Sequence, residues 1–204
     1  MNYTWQSYLS ERNKKKYLFF SLVLLALTLF LFFQFLSFNE NRCGFLFFDP
    51  ILNSIGPVDV SFPIFLVTYS LCFFGIVVAS RKPDLFIKLV QAYLLMTLLR
   101  MLSLYFLPLE PPVAIIPLKD VLLRSSFYAG RENVKDLFFS GHTATLFLFS
   151  FLFTNWNLKW LFSLGAVFVG ILLMLQHVHY SIDVFAAPIM SYLAVITQRR
   201  LNIY

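Results

Sequence analysis

Residues 17–37 read YLFFSLVLLALTLFLFFQFLS, and no charged side chain occurs among them. A transmembrane helix needs about 20 consecutive, mainly apolar residues, because only that length crosses the hydrocarbon core of a bilayer. The stretch therefore predicts a membrane-spanning helix. It is longer than the apolar region of a signal peptide and has no small-residue cleavage site, so we expect it to be retained.

Five further apolar stretches follow along the chain, and together with the first they predict a helical bundle. They are Phe62–Ser80, Leu85–Leu107, Gly141–Trp156, Leu158–Gln176 and Ile182–Gln198. Pro188 interrupts the last stretch, but neighbouring helices can satisfy the carbonyl group that a proline frees inside a membrane. The sequence thus predicts an all-α, polytopic membrane protein with six transmembrane helices.

The overall composition leads to the same class of protein. Hydrophobic residues make up 59% of the chain, phenylalanine alone accounts for 26 residues, and only 13% of residues are charged. Soluble domains carry about 25% charged residues, and a soluble chain of this size could not bury so much apolar surface. No repeat or flexible linker divides the chain, so residues 1–204 are predicted to form one six-helix domain with a cytoplasmic tail at 1–16.

The distribution of lysine and arginine predicts the orientation in the membrane. With the N-terminus inside, the inner segments sum to a charge of +8 and the outer segments to −2. Cytoplasmic loops are enriched in basic residues, so both termini are expected in the cytoplasm, and topology explains the basic pI without nucleic acid. The inner basic residues are Arg12, Lys14, Lys15, Lys16, Arg81, Lys82, Lys88, Lys159, Arg199 and Arg200.

All three histidines of the chain fall on the outer side in this topology. They are His142, His177 and His179. Because the topology was derived from lysine and arginine alone, their common side is an independent observation. Ionisable residues at membrane depth are costly and usually functional, so the histidines predict a functional site at the outer face.

The first histidine lies in the motif Phe-Ser-Gly-His-Thr-Ala at residues 139–144. Ser140 is a suitable N-cap for the fourth predicted span. The unpaired N–H groups and positive dipole at a helix N-terminus favour a phosphate group there. His142 could donate a proton to a leaving oxygen at such a site.

The other two histidines lie in the motif His-Val-His-Tyr-Ser-Ile-Asp at residues 177–183. His179 and Asp183 are four residues apart, and if the last helix starts near Val178 they share one face of it and can touch. A carboxylate bonded to one ring nitrogen fixes the histidine tautomer and leaves the other nitrogen free to act as a base or nucleophile.

Two simpler interpretations of these residues remain open. The His–Asp pair can be a local ion pair without catalytic function. Alternatively, His142, His177, His179 and Asp183 can bind a metal ion, since zinc accepts such ligands. The two cysteines, Cys43 and Cys72, form no Cys-x-x-Cys motif and give no separate sign of a metal site. We favour catalysis by the histidines over both alternatives, and on that interpretation we expect no metal and no other cofactor.

The two motifs together resemble a known family of membrane enzymes. Ser-Gly-His-Thr, followed some 35 residues later by His-x-His-Tyr-Ser-x-Asp-Val, is similar to the sphingomyelin-synthase-like branch of the lipid phosphatase/phosphotransferase superfamily. That superfamily also contains the type-2 phosphatidic acid phosphatases. The resemblance extends from Arg100 to the end of the chain and implies a six-span fold.

The resemblance also implies a role for each matching residue. His179 would be the nucleophile that forms a phosphohistidine, Asp183 would orient it, and His142 would act as acid and then as base. Asp136 matches the acid of a Cys-Gly-Asp triplet that here reads Val-Lys-Asp, and Arg100 matches an arginine ahead of a Leu-Pro pair. The substrate-binding residues implied in this way are Ser140, Gly141, Thr143, Arg100 and Asp136.

The expected activity is transfer of a phospholipid headgroup phosphate to a lipid alcohol, such as ceramide or diacylglycerol, or to water. Phospholipids and lipid alcohols would be the partners, in a bacterial inner membrane with the site facing the periplasm or exterior. No oligomeric state follows from the sequence.

Two alternatives to this activity are a lipid phosphate or pyrophosphate phosphatase and a non-catalytic membrane interaction protein. The phosphatase branch has an Arg-Pro motif and an arginine six residues before its nucleophilic histidine. This chain has no Arg-Pro, and Leu173 stands at the second position. An approach of Arg100 and the loop cations to His179 would favour the phosphatase; the loop cations are Lys119, Arg124, Arg131 and Lys135.

Overall fold

Every regular element in the described part of the chain is an α-helix, which confirms the predicted all-α class. The computed structural model describes residues 4–118 and 133–201. The helices are α1 (Trp5–Ser10), α2 (Arg12–Glu40), α3 (Pro50–Asn53), α4 (Ser61–Ser80), α5 (Pro83–Phe106), α6 (Gly141–Leu152), α7 (Trp156–Leu175) and α8 (Ser181–Leu201).

Five of these helices, α2, α4, α5, α7 and α8, are long and apolar enough to cross a membrane within the described residues. The predicted span at Gly141–Trp156 is instead the 12-residue helix α6. At 1.5 Å per residue α6 is about 18 Å long, whereas the hydrocarbon core is about 30 Å thick. The sixth span and the cytoplasmic termini therefore stay predictions.

The helix ends form two opposite faces of the bundle. At one face, which we call the site end, the N–H of Val58 donates to the carbonyl of Leu175 at 2.9 Å. At the other, the basic end, the guanidinium of Arg199 donates to the carbonyl of Phe151 at 2.9 Å. All three histidines lie near the site end, because His142 opens α6 and the other two lie between α7 and α8.

The helices α6, α7 and α8 pack closely around small and aromatic side chains. Ser191 of α8 donates to the carbonyl of Ala144 in α6 at 2.8 Å. A Cβ atom on Gly170 of α7 would lie 2.6 Å from Val184 in α8, so only glycine permits this approach. The starts of α6 and α8, at which the two histidine motifs lie, are thereby held next to each other.

Polar side chains link α2, α5 and α8 towards the basic end. Gln91 of α5 donates to Ser21 of α2 at 3.2 Å, and Gln198 of α8 donates to Gln91 at 3.1 Å. All three side chains are buried. Such hydrogen bonds between helices stabilise association in a membrane, where the apolar lipid gives little hydrophobic driving force.

Candidate active site

The N-terminus of α6 is formed by the first histidine motif. The hydroxyl of Ser140 accepts a 3.5 Å hydrogen bond from the N–H of Thr143 and donates at 3.1 Å to the hydroxyl of Thr143. Both residues are fully buried, so their side chains cap the helix. Gly141 and His142, by contrast, line a cavity at the site end.

The predicted His–Asp pair forms at the start of α8, but the two residues do not share a helix face, because His179 lies two residues before the helix and only Asp183 is in its first turn. Nδ1 of His179 lies 3.3 Å from Oδ2 of Asp183, which also accepts the N–H of Tyr180 at 3.0 Å. Asp183 is fully buried and His179 is 3% exposed. The carboxylate thus occupies one ring nitrogen of His179 and leaves Nε2 for other chemistry.

The two motifs are joined directly through the backbone. The N–H of Ser140, just before α6, donates to the carbonyl of Asp183 at 3.2 Å. His142 and His179 consequently line the same cavity, which has a volume of about 400 Å³. The rings of His142 and Phe65 also meet edge to face, with the centroids 6.0 Å apart.

Arg100 and Asp136, the two implied residues outside the motifs, meet at this cavity. Nη2 of Arg100 lies 2.5 Å from Oδ1 of Asp136, and both residues line the cavity. A Cβ atom on Gly141 would lie 2.6 Å from Cζ of Arg100, so the guanidinium rests directly against the N-terminus of α6. A cation and a helix N-terminus therefore face the same space as the two histidines.

The walls of the cavity are mainly apolar along their depth. They include Phe32 and Leu29 of α2, Phe65 and Tyr69 of α4, and Tyr93 of α5. Tyr93 lies seven residues before Arg100, which is about 10 Å further from the site end at 1.5 Å per residue. The cavity thus joins a polar end at the histidines to an apolar cleft between helices long enough to span a membrane.

The loop cations differ in where they lie. Nζ of Lys135 contacts Oε1 of Glu110 at 3.0 Å and the carbonyl of Arg42 at 2.7 Å, and Lys135 does not line the cavity. The remaining three cations, Lys119, Arg124 and Arg131, lie outside the described residues. Within the described residues, Arg100 is therefore the one lysine or arginine that lines this cavity.

His177 lies apart from the other two histidines. Its Nε2 donates to the carbonyl of Ile55 at 2.9 Å, and it lines a separate cavity of about 230 Å³. Its φ angle of 58° places it in the left-handed region, which is uncommon for residues other than glycine. Residues 4–118 and 133–201 contain no group of three His, Cys, Asp or Glu side chains that could hold a metal ion.

Two features of the site are not apparent from the sequence. The carboxylate of Asp49, in the loop between α2 and α3, accepts the N–H of Ser181 at 2.6 Å, next to the His–Asp pair. The aromatic residues of α2 and α4 that line the cavity are not distinguishable from other lipid-facing residues by pattern. The one local indication in the sequence is that Asp49 precedes Pro50, an arrangement that is common at the start of a helix.

Comparison with known families agrees with the geometry of the C-terminal part. Residues 135–200 match the family model described as PAP2 superfamily C-terminal. This match contains both histidine motifs and supports membership of the PAP2 lipid phosphatase superfamily. It therefore supports a lipid phosphatase or phosphotransferase type of function in a chain whose apolar helices suggest an integral membrane protein. No curated protein matches the chain.

Proposed function

We propose that the protein is a membrane lipid phosphotransferase that moves the headgroup phosphate of a phospholipid through His179 to a lipid alcohol or to water. The observation that carries this proposal is the convergence of His179, His142 and Arg100 on one cavity with apolar walls. A nucleophile, a proton donor and a phosphate-binding cation are the groups that phosphoryl transfer needs.

The first half of the reaction forms a bond from His179 to phosphorus. Nδ1–H of His179 donates to Asp183, so the lone pair of Nε2 attacks the phosphorus atom of the headgroup. The bond from phosphorus to the glycerol oxygen breaks, and His142 in its protonated form gives a proton to that oxygen. Diacylglycerol leaves, and the phosphorylated headgroup is held on Nε2 of His179.

The second half reverses the roles of the histidines. His142, now neutral, takes a proton from the hydroxyl of a lipid alcohol or from water, and the oxygen attacks the phosphorus atom. The bond between phosphorus and Nε2 breaks and regenerates His179. Asp183 stabilises the positive charge on the imidazole during both steps, since its carboxylate lies 3.3 Å from Nδ1.

The charge at the site favours a phosphodiester as the donor. A phosphate monoester carries nearly two negative charges at neutral pH, with a second pKa of about 6, whereas a phospholipid diester carries one on its phosphate. Arg100 faces the cavity, but Asp136 at 2.5 Å already neutralises part of its charge. One partly neutralised cation and the N-terminus of α6 suit one negative charge better than two.

A lipid monophosphate phosphatase is the second candidate, and the position of Arg100 favours it. The guanidinium lies against Gly141 at the start of α6, where a phosphate group would bind. An arginine can bind a phosphate through two parallel hydrogen bonds, as required for a dianionic monoester. This candidate requires further cations at the cavity, and Lys135 is held elsewhere by Glu110.

The proposal includes an orientation and a location. The basic end of the bundle would face the cytoplasm together with both termini, and the site end would face the periplasm or exterior of a bacterial inner membrane. The support is the charge asymmetry of the loops, because basic residues accumulate on the cytoplasmic side.

A comparison of donor lipids tests the proposed function. Purified protein in liposomes is incubated with phosphatidic acid, phosphatidylcholine or phosphatidylethanolamine, with and without ceramide or diacylglycerol, and products are identified by mass spectrometry. We expect loss of headgroup phosphate from a diester, and transfer to the added lipid alcohol. Faster release of inorganic phosphate from phosphatidic acid than of headgroup from any diester would favour the phosphatase instead.

A further inference from the structure

The first turn of α8 has an unusual arrangement of hydrogen-bond acceptors. The residue before this helix is Tyr180, whose side chain extends away from the helix and donates its hydroxyl to the carbonyl of Glu110 at 2.9 Å. Helix starts usually satisfy their free N–H groups with a Ser, Thr, Asp or Asn side chain at the N-cap. Tyr180 cannot do this, so an acceptor must come from elsewhere.

Asp49 supplies that acceptor from a distant part of the chain. Its Oδ2 accepts the N–H of Ser181, the first residue of α8, at 2.6 Å. Its Oδ1 accepts the N–H groups of Ile51 and Leu52 at 3.0 and 3.2 Å, so the same carboxylate also caps α3. Asp49 is only 2% exposed, and all of its contacts are therefore made inside the protein.

The chemistry of this contact is that of a charged carboxylate. Burial raises the pKa of Asp49, but the hydrogen bonds from Ser181, Leu52 and Ile51 outweigh it and hold the pKa below its ordinary value. The side chain is therefore ionised at neutral pH. A negative charge at the N-terminus of α8 is stabilised by the helix dipole as well as by the hydrogen bond.

The loop that carries Asp49 also contacts the turn before α8. The ring of Phe47 meets the ring of Tyr180 edge to face, with the centroids 5.5 Å apart. Tyr180 is 2% exposed and lies directly between His179 and Ser181. The loop that carries Asp49 thus holds both of the residues that follow His179, Tyr180 through its ring and Ser181 through its backbone N–H.

We propose that Asp49 is a positioning residue for the His179–Asp183 pair, an inference that rests on the proposed function. By binding the N–H of Ser181, Asp49 leaves Oδ2 of Asp183 for Tyr180 and His179. Without Asp49 the N–H of Ser181 loses its acceptor, so the start of α8 is no longer held in place and Asp183 shifts relative to Nδ1 of His179. The imidazole then loses its fixed tautomer and direction.

The test compares two changes at Asp49 with a control on the same face. Asp49→Ala removes both caps, and Asp49→Asn keeps the volume and one acceptor oxygen. The control, Glu110→Gln, weakens the ion pair between Glu110 and Lys135 near the site end. It does not remove the acceptor for the Tyr180 hydroxyl, because that acceptor is the backbone carbonyl of residue 110. His179→Ala reports on the proposed function itself. For each variant, kcat and KM are measured for the donor lipid, together with the melting temperature of the purified protein.

The expected result is a loss of kcat with little change in KM. Asp49→Ala lowers kcat on the order of 10- to 100-fold, as expected for a small misplacement of a reacting group, and Asp49→Asn lowers it less. The KM of both Asp49 variants stays within about twofold of that of the unchanged protein, because KM does not depend on the direction of the imidazole. The activity of the control Glu110→Gln also stays within about twofold. If Asp49→Ala does not fold, Asp49→Asn alone gives the same comparison.

Two outcomes would overturn the proposal, and a third concerns the function alone. Unchanged kcat in both Asp49 variants, with inactive His179→Ala, removes Asp49 from the reaction and leaves the proposed function intact. Equal losses of kcat and melting temperature in Asp49→Asn and Glu110→Gln assign Asp49 a general structural role. Full activity of His179→Ala refutes the proposed function whatever the Asp49 variants do.

Discussion

The two ring nitrogens of His179 have different surroundings, and the proposed attack on phosphorus depends on this difference. Nδ1 contacts Asp183, while the imidazole also lines the cavity that His142 lines. Histidine and aspartate that act as one unit give non-additive effects when they are substituted.

We predict that His179→Ala, His142→Ala and Asp183→Ala each abolish lipid turnover without preventing membrane insertion. The double variant His179→Ala/Asp183→Ala should be little worse than His179→Ala, because Asp183 contributes to the reaction by orienting the imidazole that it contacts. Initial rates on the donor lipid, with membrane levels determined by immunoblot, provide the measurement. Additive losses in the double variant would show that Asp183 has a function independent of His179.

We predict that His177→Ala retains substantial activity, because its ring binds the carbonyl of Ile55 and lines another cavity. The matched comparison is His179→Ala, two residues further along the chain. Activity and its response to a chelator and to added zinc are measured for both variants. If both variants were equally inactive and the activity of the unchanged protein depended on zinc, a metal site would replace the phosphohistidine mechanism.

At the same scale, sequence reasoning succeeds where the contact is local. The His179–Asp183 pair follows from a spacing of four residues, and the capping role of Ser140 follows from its place before an apolar helix. The contact of Asp49 with Ser181 joins residues 132 positions apart, and no local pattern contains it. The meeting of Arg100 and Asp136 was expected from family resemblance alone, since residues 36 positions apart give no local signal.

At the scale of elements, α6 combines a short length with a functional N-terminus. Hydropathy predicted its beginning correctly but extended it to Trp156, because Phe153 continues the apolar pattern. The helix ends at Leu152, and Asn155 then caps α7 by accepting the N–H of Leu158 at 3.2 Å. The length of an apolar run cannot distinguish one spanning helix from a short helix followed by a capped turn.

We predict that Gly141→Ala lowers activity on the order of 10- to 100-fold, as for other displacements of a binding group by about 1 Å. The new Cβ would lie 2.6 Å from Cζ of Arg100 and must move the guanidinium away from the start of α6. Alanine suits a helix better than glycine, so the stability of α6 itself should not fall. Gly56→Ala is the control, because its Cβ meets no atom within 4 Å. Equal activities of the two variants would remove Arg100 from phosphate binding.

At the scale of the whole molecule, the candidate active site and the cluster of basic residues lie at opposite ends of the bundle. The histidines lie at the site end, whereas the basic end carries the lysines and arginines that predict a cytoplasmic face. Composition alone was enough to predict a helical membrane protein. The apolar part of the cavity, between α2, α4 and α5, could not be predicted, because the residues that line it do not differ in sequence pattern from residues that face lipid.

We predict that Val113→Cys is labelled by an impermeant thiol reagent from outside intact cells and that Asn157→Cys is not. Val113 is 88% exposed near the site end, and Asn157 is exposed at the basic end. Cys43 and Cys72 are replaced by serine in both variants, so that only the introduced thiol reacts. Labelling of Asn157→Cys but not Val113→Cys from outside would reverse the proposed orientation.

The most direct measurement of the central proposal is detection of the covalent intermediate on His179. Purified protein is mixed with a phospholipid labelled in its headgroup phosphate, quenched under alkaline conditions that preserve phosphohistidine, digested and analysed by mass spectrometry. The peptide containing His179 is predicted to gain the mass of the phosphorylated headgroup, and His179→Ala should show neither label nor turnover. Lipid turnover that continues in His179→Ala would contradict the proposed mechanism.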